Sequence, residues 1–366
     1  GPQIVSSLLK SGADAKTVRA DGISALALCA GTSSPETLSA LIAKGADVNA
    51  ADPQGQTPLM WAAAKGRTDN IAVLIKNGAN VNAVTRNGFT PLFFALQSKV
   101  QPASFALLEA GADSKAVLPD GTTVIAGALL VDNIPFAMQV IARGADVNSR
   151  DPEGRQLIHV VAANGNPDLV KMVLSKGGDP NAMTGLPSSP PPLAAAPAPV
   201  QVAAIGGGSV APKETLKGTK YLIRPPAPST APLLLAAYAG SVPAMKALIE
   251  AGAKPDVKAA DGLTLALAAA GSGNLEAVKY ALTLDPNVNA IAQGGKSIMH
   301  MVVANRTSTD YEAIITYLAD KGAILNVPDE HGVTPADFVN KVGPENIRVF
   351  YVQFMKDRGV AASLNH

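Results

Sequence analysis

Four histidines and one cysteine are the residues of this chain best suited to acid–base, metal or nucleophilic chemistry. Their spacing assembles none of it. His159 and His300 lie far apart, His331 falls on a predicted turn and His366 is terminal. No His-x-x-x-His pair, no paired catalytic carboxylates and no Gly-x-Ser-x-Gly elbow occurs. Cys29 is alone, which excludes an internal disulfide, a cysteine zinc site and a haem attachment motif, and it reads as a small core residue. Gly295-Lys296-Ser297 imitates the end of a phosphate-binding loop, but the first glycine of that motif would be Ala290. The residues therefore predict no catalytic group, no metal and no cofactor.

The elements carrying these residues follow a strict period. Gly12, Gly45, Gly78, Gly111, Gly144 and Gly177 stand 33 residues apart, and Gly22, Gly55, Gly88, Gly121 and Gly154 each follow one of them by ten. Two residues later, Thr57-Pro58-Leu59 and Thr90-Pro91-Leu92 offer an N-cap hydroxyl and a proline at the first helical position. The period predicts a short Ala-rich helix over 59–64 ending at Gly66. A second helix carries Ile71, Val73, Leu74 and Ile75 and closes at Asn77-Gly78. Residues 79–88, rich in turn formers, then make a hairpin-like finger. One such unit cannot bury its own apolar faces, so neighbours must stack into an all-α repeat solenoid.

The stretch 45–63 closely matches the pattern Gly-Ala-Asp-Val-Asn-Ala…Asp-x-x-Gly-x-Thr-Pro-Leu-His-x-Ala-Ala, with Met60 in place of His. On this pattern the chain resembles the ankyrin repeat family. In that family the histidine of the motif bonds backbone groups of the adjoining turn, which is the role the resemblance implies for His159 and His300. Ser24, Thr123, Thr264 and Ser297 keep the cap hydroxyl without the proline, and Gln156 and Ala231 lack the hydroxyl, so looser helix starts are expected there.

The register runs on through the second half. Between Gly177 and Gly252 the period is lengthened by 42 residues, and Asp285 replaces the next glycine. Four further residues enter near Arg306–Asp310, between two helices. Nine helix pairs are expected after a lone helix over 3–10, with a capping helix over 346–356. The organisation is one continuous solenoid: truncated and complete repeats over 1–182, a Pro/Ala/Gly-rich finger insert over 183–230, and further repeats over 231–366. Gly1-Pro2 reads as a protease-cleavage remnant, so the natural chain is expected to extend upstream. Tyr221-Leu222-Ile223, with Arg224 beside it, is apolar where a linker needs no such triplet. The insert is either a solvated loop, a segment packed without a role, or a lid or docking segment.

Composition narrows the partners. Lys+Arg at 30 against Asp+Glu at 29 leaves a net charge of +1, and aromatics are 4%. Neither suits nucleic acid, which needs a basic surface and stacking rings. No apolar run reaches a membrane span; residues 124–131 stop at Asp132. A non-catalytic scaffold that binds another protein is the expected function, with a structural spacer for a missing N-terminal domain or a small-molecule or peptide receptor as alternatives. The resemblance puts binding on a concave face of finger tips and first-helix ends: Gln54, Gln56, Lys65, Arg86, Asn87, Phe89, Gln97, Asp120, Glu153, Arg155, Asn164, Tyr238, Lys296 and Asn305. A monomer is expected. Long fingers before a segment like Leu234–Ile249 resemble exported bacterial arrays, implying a periplasmic or secreted protein, with the cytoplasm as alternative.

Overall fold

The computed structural model describes residues 2–185, 229–305, 308–343 and 345–360. Among the described residues, two compact units divide at Ala145 and Asp146. The first holds α1 (Pro2–Lys10) and four helix pairs: α2 (Ala25–Thr32) with α3 (Pro35–Ala43), α4 (Pro58–Ala64) with α5 (Thr68–Lys76), α6 (Pro91–Gln97) with α7 (Gln101–Glu109), and α8 (Val124–Leu130) with α9 (Ile134–Ala142). The second holds five pairs: α10 (Leu157–Asn164) with α11 (Pro167–Ser175), α12 (Pro232–Tyr238) with α13 (Val242–Glu250), α14 (Leu265–Ser272) with α15 (Leu275–Leu284), α16 (Ile298–Ala304) with α17 (Tyr311–Asp320), and α18 (Pro335–Val342) with α19 (Glu345–Asp357). Within each unit first helices pack on first helices and second on second, as a repeat solenoid requires.

Local chemistry sets each boundary. Thr57 Oγ1 accepts the Met60 N–H at 3.4 Å, and Pro58 opens α4 without wasting a donor. At the other end of the pair, Gly78 sits at φ +87° with empty space where a Cβ would be. Backbone conformation, not crowding, demands glycine there. The Ala79 N–H then reaches the Leu74 carbonyl and the Gly78 N–H the Ile75 carbonyl, both at 3.0 Å. These two bonds close the helix in a Schellman motif. Asp285 cannot copy this at its φ of −130°, and α15 is instead closed by the Asp285 N–H bonding Ala281.

The looser helix starts expected from the sequence do not occur. Ser24, Thr123 and Thr264 cap Ala27, Ala126 and Leu267 through their hydroxyls. At Gln156 and Ser297 the backbone N–H of the cap donates to the Nδ1 of His159 and His300, at 3.0 and 3.2 Å. Ala231 offers no side-chain bond, but Pro232 holds the first helical position. The side-chain cap or the preset proline dihedral alone suffices.

The core runs between repeats. Leu59, Leu92 and Leu233 on first helices, and Leu38, Leu74 and Leu107 on second helices, are wholly buried. Each contributes about 1.5–3 kcal/mol by leaving water.

Fingers are bracketed to the next repeat by one recurrent asparagine. Asn49 Nδ2 donates to the Gly78 carbonyl at 3.0 Å while its Oδ1 accepts the Asn80 N–H at 2.8 Å. Asn82, Asn181 and Asn289 repeat this pair of bonds with Gly111 and Asp113, Gly252 and Lys254, and Gly322 and Ile324. Lys16, Lys115 and Asp256 stand at the same position and lack the side-chain amide that does this. Finger tips also stack in two ways. Where the following tip carries proline, its ring lies over the glycine turn: a Cβ on Gly22 or Gly88 would stand 2.4 and 2.7 Å from Cδ of Pro53 and Pro119. Where it does not, a backbone bond forms, as from the Arg86 N–H to the Gln54 carbonyl at 3.0 Å.

Candidate protein-binding face

The fingers sort the expected binding residues by register. Nine residues after the period glycine come Gln54, Asn87, Asp120 and Glu153, and all four are exposed. Arg86, one residue earlier in its finger, is exposed too. Two positions beyond the tip residue stand Gln56, Phe89, Arg155 and Lys296, and there the structure corrects the sequence. Gln56 is 4% exposed, with its Oε1 buried and unpaired, so it presents no contact surface. Phe89 is half-buried, edge-on to Phe93 at 6.3 Å and tilted over Phe94 at 6.0 Å. The position turns inward, beneath the finger. Ile23, Leu263 and Val333 occupy it in other repeats, and their apolarity was the available signal.

The two cations at that position are engaged by acids. Arg155 Nε donates to Asp151 Oδ2 at 2.7 Å, and its Nη2 pairs with Glu153. Lys296 pairs with Asp329, a buried carboxylate whose Oδ1 also accepts the N–H of His331 and Val333 at 2.9 Å. The Lys296 ammonium, helped by those N–H groups, lowers the Asp329 carboxyl to about 2 against the opposing effect of burial. Asp52 differs: it holds a comparable turn, accepting Gln54 and Gln56 N–H at 2.9 and 2.8 Å, with no lysine across from it. Burial raises its carboxyl above the usual value.

At the first-helix ends Lys65 is exposed, Gln97 and Asn164 are half-buried, and Tyr238 is 45% exposed. Asn305 is half-buried, and its Nδ2 donates to the Gly271 carbonyl at 3.0 Å, which ties α16 to α14. In the first unit the structure therefore gathers Gln54, Lys65, Arg86, Asn87 and Asp120 as exposed polar groups; in the second, Glu153 and Tyr238 stand out. Tyr221, Leu222, Ile223 and Arg224 lie outside the described residues.

The family description "Ankyrin repeats (3 copies)" matches residues 1–85 and 233–329, and "Ankyrin repeat" matches residues 153–185. The chain belongs to the ankyrin repeat family. Among solved structures, the human ASB11 ankyrin repeat domain is similar, at 23% identity and a TM-score of 0.50, over 71% of this chain and 97% of that one. That likeness concerns the fold. No curated protein matches the chain. Ankyrin repeats are generally non-catalytic protein–protein interaction modules. Among the described residues no helix is long and apolar enough to cross a membrane, and no cluster of His, Cys, Asp and Glu could hold a metal.

The ankyrin histidines are structural by geometry. His159 Nδ1 accepts a backbone N–H, so its Nε2 must carry the proton that it donates to the Ala182 carbonyl at 3.0 Å. His300 does the same toward the Val333 carbonyl at 3.0 Å. Each imidazole joins its own helix start to the following finger, and burial holds both below the usual histidine pKa.

Sequence reasoning missed one set of exposed apolar residues on the ankyrin fingers. Val18, Val84 and Val117 in the first unit, and Ile291 in the second, all six residues after their period position, are 48–59% exposed. β-Branched residues recurring at one finger position would have revealed them. Val18 and Val117 bridge across their hairpins to Ser24 and Thr123, and Ile291 pairs with Ser297 in the two-stranded hairpin of β1 (Ile291–Ala292) and β2 (Lys296–Ser297). Their side chains therefore stand on the flank of a formed turn.

Proposed function

We propose that this chain is a non-catalytic scaffold that binds one partner protein through its finger tips and first-helix ends. The observation that carries the reading is Tyr238. A tyrosine left 45% exposed at the end of a first helix presents a rigid ring with a polar tip, the side-chain type that dominates interface energetics. The exposed tip residues Gln54, Arg86, Asn87, Asp120 and Glu153 supply polar specificity, and the exposed valines of the first unit supply apolar area. The insert triplet Tyr221-Leu222-Ile223 acts as a docking segment or lid. An exported bacterial setting follows from the sequence resemblance alone, and signal-dependent export of the full reading frame in its native host tests it.

The test of binding is a capture experiment from the native host with three chains. Tyr238→Ala is compared with the unsubstituted protein and with Lys246→Ala, an exposed change on α13. A specific protein retained by the unsubstituted chain and Lys246→Ala but lost with Tyr238→Ala, at unchanged melting temperature, supports the reading. Equal retention by all three removes Tyr238 from the interface.

A further inference from the structure

We infer that Asn87 is a site of spontaneous backbone-assisted deamidation, a modification that gives the third finger of the array a new negative charge over time. The argument starts from the three Asn-Gly pairs of the chain, Asn77-Gly78, Asn87-Gly88 and Asn164-Gly165. Glycine on the C-terminal side leaves the attacking backbone nitrogen unshielded by a Cβ, so all three share the chemical prerequisite. Their surroundings separate them. Asn77 caps α5 and its Nδ2 donates to the Val73 carbonyl at 2.8 Å. Asn164 is the last residue of α10 and is engaged by a partner. Asn87 is an exposed tip residue outside any helix.

The freedom of its carboxamide has a structural cause. In three other fingers the tip residue before glycine is an aspartate whose Oδ1 accepts the N–H two residues on: Asp21 from Ile23 at 3.3 Å, Asp120 from Thr122 at 2.9 Å and Asp261 from Leu263 at 3.1 Å. In the third finger that N–H belongs to Phe89, and Thr85 Oγ1 takes it at 3.0 Å. Thr85 replaces the aspartate that holds the turn in the neighbouring finger. Asn87 is thereby relieved of the bond that the tip aspartate makes in those three fingers, and among the described residues its side chain makes no other.

The step balances with water alone. The Gly88 amide nitrogen loses its proton to solvent hydroxide and attacks Cγ of Asn87; the N–Cγ bond forms, the Cγ–Nδ2 bond breaks, and the leaving nitrogen takes up a proton as ammonia. Water then opens the succinimide. Breaking its N–Cγ bond gives aspartate, and breaking its bond from N to the Asn87 backbone carbonyl carbon gives isoaspartate, with the chain rerouted through Cβ and Cγ. Among the described residues, the bond in the way is the one from the Gly88 N–H to the Thr85 carbonyl, 3.0 Å, at the tip of a surface turn. The aspartate product fits the fold, since it recreates the Asp-Gly tip of the fingers at Asp21, Asp120 and Asp261. It also sets a carboxylate between Arg86 and Phe89. This inference does not depend on what the finger binds.

The experiment incubates the folded full chain at neutral to mildly alkaline pH and follows the three Asn-Gly peptides by mass spectrometry, with isoaspartyl methyltransferase labelling of the products. The Asn87 peptide should gain about 1 Da and become methylatable at a rate rising in proportion to hydroxide. Its rate should exceed that of the Asn77 peptide about fivefold or more, the factor a hydrogen bond to the leaving amide supplies. In urea the three rates should converge, and Asn87→Gln should abolish the fast phase in the folded protein. Equal native rates at Asn77 and Asn87, or a faster reaction at either helix end, overturns the inference.

Discussion

The Tyr238 ring rests against Gly271 of the neighbouring first helix, so closely that a Cβ there would stand 3.0 Å from Tyr238 Cε2 and 3.3 Å from Met301 Cε. Glycine inside a helix costs about 1 kcal/mol relative to alanine, so something other than helix formation accounts for it here. It lets the tyrosine lie down on α14. Gly271→Ala is expected to displace the ring and weaken partner capture while melting changes little, helix propensity offsetting the tighter contact. Unaltered capture would show that the position of the ring is immaterial to binding.

Leu74 lies in the last turn of α5 and is wholly buried. Leu74→Ala should cost about 2–5 kcal/mol, transfer and cavity terms together. Denaturant unfolding checks this, and a loss below about 0.5 kcal/mol, the range of surface changes, would place Leu74 outside the core.

The asparagine bracket can be extended. Lys16 occupies the bracket position in the first finger, and its Cε already lies 3.3 Å from where a Gly45 Cβ would be. Lys16→Asn puts a carboxamide within reach of the Gly45 carbonyl and the Asp47 N–H, as Asn49 does for Gly78 and Asn80. A gain of about 0.5–1.5 kcal/mol is expected, one net hydrogen bond at a solvated site. Chemical denaturation reads it, and a destabilised variant would mean the first finger holds a different spacing from the others.

Acid should weaken the second unit through its two buried histidines. Both have folded-state pKa values lowered from 6.5 by burial, so on acidification the unfolded chain takes up protons first. Their contribution is complete above 6.5 and is lost as pH falls through the lowered folded values. Asp329 stays ionised throughout that window and loses its contribution only between 3.8 and about 2. Melting temperature measured between pH 7 and 5 should fall more for the natural chain than for a His159→Gln, His300→Gln double variant. Parallel curves would show that the imidazoles do not titrate on unfolding in this range.

The repeat was legible because each boundary is fixed locally. Gly78 needs its positive φ, Thr57 its cap bond and Pro58 its dihedral, and none of these depends on distant residues. The same locality explains why α16 and α17 appear on either side of the four inserted residues. Exposure was less legible because it depends on what neighbouring repeats do. Gln56 and Gln54 are alike in sequence, yet one lies beneath the finger and the other at its tip. Asn305 looks like free surface until Gly271, 34 residues earlier, offers its carbonyl. Lys296 and Asp329, 33 residues apart, meet only because fingers stack. Register comparison recovers part of this: Ile23, Leu263 and Val333 mark the inward position, while Thr85 in place of aspartate marks the finger with the unengaged tip.

The measurement that bears most directly on a scaffold binding through finger tips and first-helix ends is site-specific photo-crosslinking in the native host. A crosslinking amino acid replaces Arg86 or Tyr238 in separate chains, and Lys76 or Lys246 on the second helices in two more. The account predicts a discrete, competable adduct with one partner protein from the Arg86 or Tyr238 position and none from the second-helix positions. Adducts formed only from Lys76 and Lys246, or equally from all four, would contradict it.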